Sequence, residues 1–294
     1  MSIFFSNRNY LIVGIFISWL IQGCTSKKPK VPDEIFPTPP SYNLNYPITY
    51  KLPTELDEIS GIVYYPKDSS IFAIHDERGW LYKVHLGEKI KIEKWKYTAG
   101  ADFEDLGLVD SNFYTLKSAG GIVEFRIFRP DSVIKIERKL PKSPKKEFEA
   151  MYYDSANHRL LAICKDCEAD IKNTASVFAF DIAQKKWLDS PAYVIDVEKI
   201  EKKFGDKISK FKPSAAAINP MTGELYIISS VNKLLVIADA NGKAEDVYPL
   251  NPKVFKQPEG LAFTPKGDLL ISNEAADIGV ANILLFKYKE IPKQ

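Results

Sequence analysis

Five short stretches decide the fold: EISGIVY at residues 58–64, EDLGLV at 104–109, EAMYYD at 149–154, SAAAIN at 214–219 and EGLAFT at 259–264. Each sets an acidic or small residue before a run of small and apolar ones. Glu58 to Glu104 is 46 residues, Glu104 to Glu149 is 45, Glu149 to Ser214 is 65 and Ser214 to Glu259 is 45. A recurrence near 45 residues is the length of one four-stranded blade of a β-propeller. Second strands follow in the same order (SIFAIHDE, NFYTLKS, RLLAICKD, ELYIISS, DLLISNE), and third strands after them (WLYKVHL, GIVEFRI, SVFAFDI, KLLVIAD, NILLFKY). Turn formers such as Pro66-Lys67-Asp68 and Pro265-Lys266-Gly267 part the first two strands of a unit. IKIEKWKY, SVIKIER, YVIDVEK and AEDVYPL read as fourth strands, and the fifth unit shows only three. Ile48–Leu52 can supply the missing strand, which closes the ring and removes two open sheet edges.

The sequence thus predicts an all-β propeller over residues 46–290, with five four-stranded blades closed by an N-terminal strand. A sandwich or a pair of barrels would not repeat one internal order at this period. A sixth blade would have to hide in the long interval, where VEKIEKKFGDKISKF (197–211) instead places apolar residues at Val197, Ile200, Phe204, Ile208 and Phe211. Steps of three and four describe an amphipathic helix broken at Gly205, either a surface helix beside a blade or one that docks a protein partner.

Ahead of the repeats, Arg8 precedes a 12-residue apolar run from Tyr10 to Ile21. That run is short of the roughly 20 residues a membrane-spanning helix needs, and it reads as a secretory signal over residues 1–23. It ends in Leu20-Ile21-Gln22-Gly23-Cys24, which resembles a bacterial lipobox and marks Cys24 for lipidation. Residues 24–45 are rich in proline and read as an extended spacer. Lys27, Lys28 and Lys30 suit anionic headgroups, and no acidic cluster follows the cysteine. The expectation is a membrane-anchored lipoprotein facing the periplasm.

Composition narrows the function. With 40 basic and 38 acidic residues in 294, a formal charge of +2, the chain has no nucleic-acid footprint. Three histidines leave little for multi-histidine catalysis, and no G-x-S-x-G elbow, P-loop or H-E-x-x-H occurs. Strand polarity nevertheless gathers carboxylates. The start of each first strand and the end of each second strand share one end of the blade, so Glu58, Glu104, Glu149 and Glu259 should ring a channel mouth, with Ser214 in the fourth place. Asp57, Asp102 and Asp105 flank them. His75, Asp76, Glu77, Lys117, Lys165, Asp166, Asn273 and Glu274 fall at the same end. Crowded carboxylates either keep protons or hold a cation, and oxygen-only ligands from several loops suit calcium. The other reading is structural: each anchor bonds backbone N–H groups of the next blade. Lys117, Lys146 and Lys165 could neutralise the ring or contact an anion. His75 could be a general base or metal ligand, as could Glu104 be a base, or His75 could be a satisfied structural histidine. Cys164 and Cys167, as C-K-D-C in an oxidising compartment, form a disulfide or stay as two inert thiols.

With ELDEISGIVYYPKDSSIFAIHDERGWLYKV, ADFEDLGLV and QPEGLAFTPKGDLLISNE in hand, the chain resembles the SdiA-regulated family, exported bacterial propellers similar in look to phytase-like propellers. The resemblance runs from about Leu52 to Phe286. It implies a membrane-associated envelope protein with a role in calcium-linked or signalling homeostasis, and metal or ligand contacts at Glu58, Asp102, Glu104, Glu149 and Glu259. Five blades rather than six, and few basic residues at the mouth, set the chain apart from phytase-like propellers. The leading expectation is a non-enzymatic propeller holding calcium or a small ligand, with Asp76, Glu77, Lys117, Lys165, Asn273 and Glu274 as further ligand contacts. The alternatives are a calcium-dependent phosphoesterase or esterase at the same mouth, and a protein-interaction scaffold.

Overall fold

The computed structural model describes residues 34–129, 132–138, 146–168, 170, 173–275 and 279–291. The signal segment, Cys24 and the spacer up to residue 33 lie outside the described residues. Five sheets stand in a ring. The first blade runs Ile59–Tyr65, Ser70–His75, Trp80–His85, Lys91–Lys96, and the second Phe103–Val109, Asn112–Lys117, Ile122–Arg129, Ser132–Arg138. The third holds Lys146–Asp154, Arg159–Cys167 and Thr174–Asp181. The fourth runs Ala215–Ile218, Leu225–Ser229, Leu234–Ala238, Ala244–Pro249. The fifth, Pro258–Phe263, Leu269–Asn273 and Asn282–Phe286, takes its outer strand from Ile48–Lys51, paired antiparallel with Asn282–Phe286. The five-blade ring and its closing strand are as the repeats predict.

The hairpins between first and second strands show why the repeat folds five times alike. Ser69, Asp110, His158, Gly223 and Gly267 each sit at positive φ at the same place in their blade. Side chains hold these turns: Asp68 accepts the Ser70 N–H, Asn219 accepts the Met221 N–H and the Thr264 hydroxyl accepts the Asp268 N–H. The apolar faces then meet between blades. Phe72, Ile74 and Leu81 of the first blade pack with Phe103, Phe113 and Phe125 of the second, and comparable clusters fill the other four interfaces. Burial of this surface, about 25 cal/mol per Å2, holds the ring together.

Three features depart from expectation. The outer edge of the third blade is split, because Lys186–Trp187 and Tyr193–Asp196 both pair with Thr174–Asp181. Trp187 is the reason for the first piece: its indole is buried and donates to Gly120 O of the second blade at 3.0 Å. The helix is Val197–Phe204 only, capped by Asp196, which accepts the Glu198 and Lys199 N–H groups, and stopped by Gly205 at φ 83°. Ile208 and Phe211 follow it as irregular chain, yet they are buried with Val197 and Ile200 between the third and fourth blades. Packing also starts before residue 46. Tyr42 and Leu44 are buried between the fourth and fifth blades, and the Tyr42 hydroxyl donates to Gly267 O at 2.7 Å and accepts from Asn219 at 3.1 Å. Asn45 exchanges hydrogen bonds with Phe36, so the last part of the proline-rich stretch is folded chain.

Candidate functional site

The inner strands begin at one end of the central channel, and there the ladder is interrupted. Phe103 faces Lys117 and Asp105 faces Leu116, so Glu104 is the extra residue of a β-bulge. Phe148 faces Cys164 and Ala150 faces Ile163, which gives Glu149 the same place. Pro258 faces Asn273 and Gly260 faces Ser272, which does so for Glu259. A bulge turns its extra side chain out of the alternation of the strand. The three glutamates are aimed into the mouth by this device, not by the regular pleat.

In the first blade the bulge lies between Ile59 and Ile62, so Ser60, not Glu58, is the counterpart of the bulged glutamates. Its hydroxyl donates to the carbonyl of Glu104 in the next blade. Ser214 of the fourth blade does the same for Pro258 of the fifth, at 2.7 Å. The ring position is therefore glutamate in three blades and an inter-blade latch in two. Glu58 reaches the mouth from the loop before its strand, beside Asp57 and His75.

A cavity of about 270 Å3 opens here, lined by Glu58, Ile59, Ser60, Asp76, Asp102, Glu104, Ser118, Glu147, Glu149, Lys165, Glu259 and Glu274. Eight of these side chains are carboxylates and one is a cation. Lys165 is ion-paired with Glu149 and stands 3.6 Å from Glu147. Its loop is pinned on both sides, by the disulfide joining Cys164 to Cys167 and by the 2.8 Å ion pair of Asp166 with Lys210.

One ammonium does not offset the acids. Burial, then the charge of Glu274, pushes Glu259 up to about 8, against a hydrogen bond from Ser230 that lowers it. Burial and Asp102 push Glu104 up to about 7, and burial with Asp76 and Glu58 does the same for Glu274. Glu58 is raised by burial and then by Asp76. Asp76 goes the other way: burial raises it, but hydrogen bonds with His75 and from the Glu77 N–H outweigh that and hold it low. Chemically the mouth is a store of negative charge that is partly neutralised by protons at neutral pH.

Not every residue expected at this end converges. Asp105 is buried below the mouth, where its carboxylate accepts the Leu106 N–H at 2.7 Å and the Met151 N–H at 2.6 Å, tying the second blade to the third. Asn273 is buried and donates to Val254 O and Asn282 Oδ1. Lys117 turns to Glu137 at 2.6 Å, and Lys146 lies 4.1 Å over the Phe178 ring. Neither Lys117 nor Asn273 lines the cavity, and neither does Glu77. Lys117 and Asn273 sit on regular strand and alternate away from the mouth, while Glu77 has left the strand. Glu147 and Ser118, which the sequence did not single out, do line it.

A family model for SdiA-regulated proteins matches residues 39–277. The chain belongs to the SdiA-regulated family. The match takes in all five inner strands of this family member, and it starts near Tyr42, where the packed chain begins. Comparison with curated proteins gives no match. Among solved structures, the Myxococcus xanthus glutaminyl cyclase is similar at 12% identity and a TM-score of 0.53, covering 83% of this chain and 98% of that one. A luciferin-regenerating enzyme is similar at 12% identity and a TM-score of 0.52, covering 84% and 98%. At that identity the likeness shows the shared fold and nothing of the chemistry.

Proposed function

We propose that this SdiA-regulated propeller is a binding protein whose acidic channel mouth takes up a divalent cation, calcium by the chemistry of its ligands. The observation that carries the reading is the convergence of three bulged glutamates, Glu104, Glu149 and Glu259, with Asp102 and Glu58 in one small cavity. Calcium accepts six to eight oxygens in irregular geometry, which suits carboxylates delivered by separate blades. It would also displace the protons that Glu104 and Glu259 otherwise keep. With the lipid anchor read at Cys24, the protein would act at the periplasmic face of a membrane, in envelope homeostasis or signalling.

Calorimetry tests this. Calcium added to the intact protein should give a saturable heat with proton release near pH 7, and the Glu104→Gln Glu259→Gln double variant should give none. Absence of heat in both samples rejects the cation. Hydrolysis of a phosphoester at the same mouth has one observation in its favour, a glutamic acid titrating near neutrality that can donate or accept a proton. Calcium-dependent phosphomonoester turnover by wild type and not by the double variant would establish that reading.

A further inference from the structure

His75 stands at the rim of the acidic cavity, at the end of the second strand of the first blade, and is wholly buried. Its Nδ1 lies 3.0 Å from Asp76 Oδ1, and the Glu77 N–H points at both atoms, at 3.2 Å from Nδ1 and 2.6 Å from the carboxylate. The shorter contact satisfies that N–H, which leaves Nδ1 to carry the proton and donate to Asp76. A lone pair then remains on Nε2. This atom is buried without a hydrogen-bond partner, and it faces Glu58 Oε2 at 3.5 Å and Asp57 Oδ1 at 3.6 Å.

Nitrogen and oxygen at 3.5 and 3.6 Å do not form a good hydrogen bond. A lone pair directed at two carboxylates is repulsive unless positive charge lies between them. Two ligands of a tetrahedral ion with bonds of about 2.1 Å stand about 3.4 Å apart, close to both separations. A buried imidazole oriented by a carboxylate on its other nitrogen is the usual support of a metal-bound histidine.

We propose that His75 Nε2 and the carboxylate of Glu58, with Asp57 beside them, form a site for a divalent transition metal of the zinc type, apart from the oxygen-only calcium site. Imidazole nitrogen is a poor partner for calcium and a good one for zinc, so the ligand set separates the two ions. Asp76 acts as a positioning residue through Nδ1. Glu58, which lines the acidic cavity, lies between the two sites. The inference does not rest on calcium binding.

Cobalt(II), a spectroscopic stand-in for zinc, provides the test. Titrated into the intact protein, it should give an intense visible ligand-field band that saturates at one equivalent and is erased by zinc. His75→Gln should abolish the band, whereas Glu104→Gln Glu259→Gln, which should lose calcium, should keep it. Since His75 is buried, its variant can fail to fold. Asp57→Asn covers that outcome, because the Asp57 side chain is 45% exposed, and it should weaken cobalt binding at least about tenfold. No band in wild type, or an equal band in His75→Gln or Asp57→Asn, overturns the site, and the first result would mean that a proton on Nε2 balances the carboxylates.

Discussion

At one end of the channel the inner strands present Glu104, Glu149 and Glu259, and at the other the same strands present Leu106, Leu108, Met151, Tyr153, Leu261 and Phe263. Each end encloses a cavity, about 270 Å3 at the acidic mouth and about 190 Å3 at the apolar end. The strands do not change composition gradually between them. The change comes at the bulges, one residue wide, after which regular alternation places apolar side chains inward. Between the ends sits Asp105, its carboxyl turned to backbone N–H groups rather than to the channel and raised well above the usual carboxylate range by burial. A Cβ on Gly61 would run into that carboxylate, so the three-blade junction needs glycine there. One end is built for cohesion, and the other carries charge that burial makes costly.

The contrast can be broken most sharply with pH. Glu259 titrates at about 8 in the folded protein against an ordinary 4.5, and Glu104 at about 7. Between those values the folded chain binds more protons than the unfolded chain, so metal-free stability should fall as pH rises from about 5 to 8. The Glu259 share alone is on the order of 4 kcal/mol. Thermal midpoints measured across that range should decline in wild type and decline clearly less in Glu104→Gln Glu259→Gln, where Glu274, at about 7, keeps a smaller share of the slope. A wild-type midpoint that climbs with pH would show that the mouth is not burdened by its own charge. A smaller effect sharpens the comparison from below. Asp105→Ala leaves the Met151 N–H buried without its acceptor and should cost about 1–3 kcal/mol in denaturant unfolding. Because Asp105 lies beneath the mouth, the calcium heat should survive this change. Loss of that heat in a folded Asp105→Ala protein would mean the two ends are not independent.

The ring itself was readable because its signals are local and repeated. Period-two strands, turn residues and an interval near 45 recur whatever the tertiary contacts, and Ile48–Lys51 had to pair with something. Which carboxylates meet was less readable. EISGIVY and EDLGLV align by their first glutamate and by glycine, which equates Glu58 with Glu104. The structure instead equates Ser60 with Glu104, since Ile59 facing His75 stands where Phe103 faces Lys117 and one extra residue follows each. A signal was present: Phe103, Phe148, Pro213 and Pro258 each precede the ring residue, and Ile59 before Ser60 fits that series better than Asp57 before Glu58. Lys117 and Asn273 were expected at the mouth because strand order gives an end and not a face. Tyr42 was hidden by the prolines around it, whose composition suggests spacer while one aromatic side chain does the packing.

Diffraction from crystals grown with calcium is the most direct test of the central claim, that bulged strand starts from different blades serve one ion. The account predicts a single strong peak in the mouth, within about 2.3–2.6 Å of carboxylate oxygens that include Glu104, Glu149 and Glu259. An empty mouth at saturating calcium, or those three side chains directed away from one another, would contradict it.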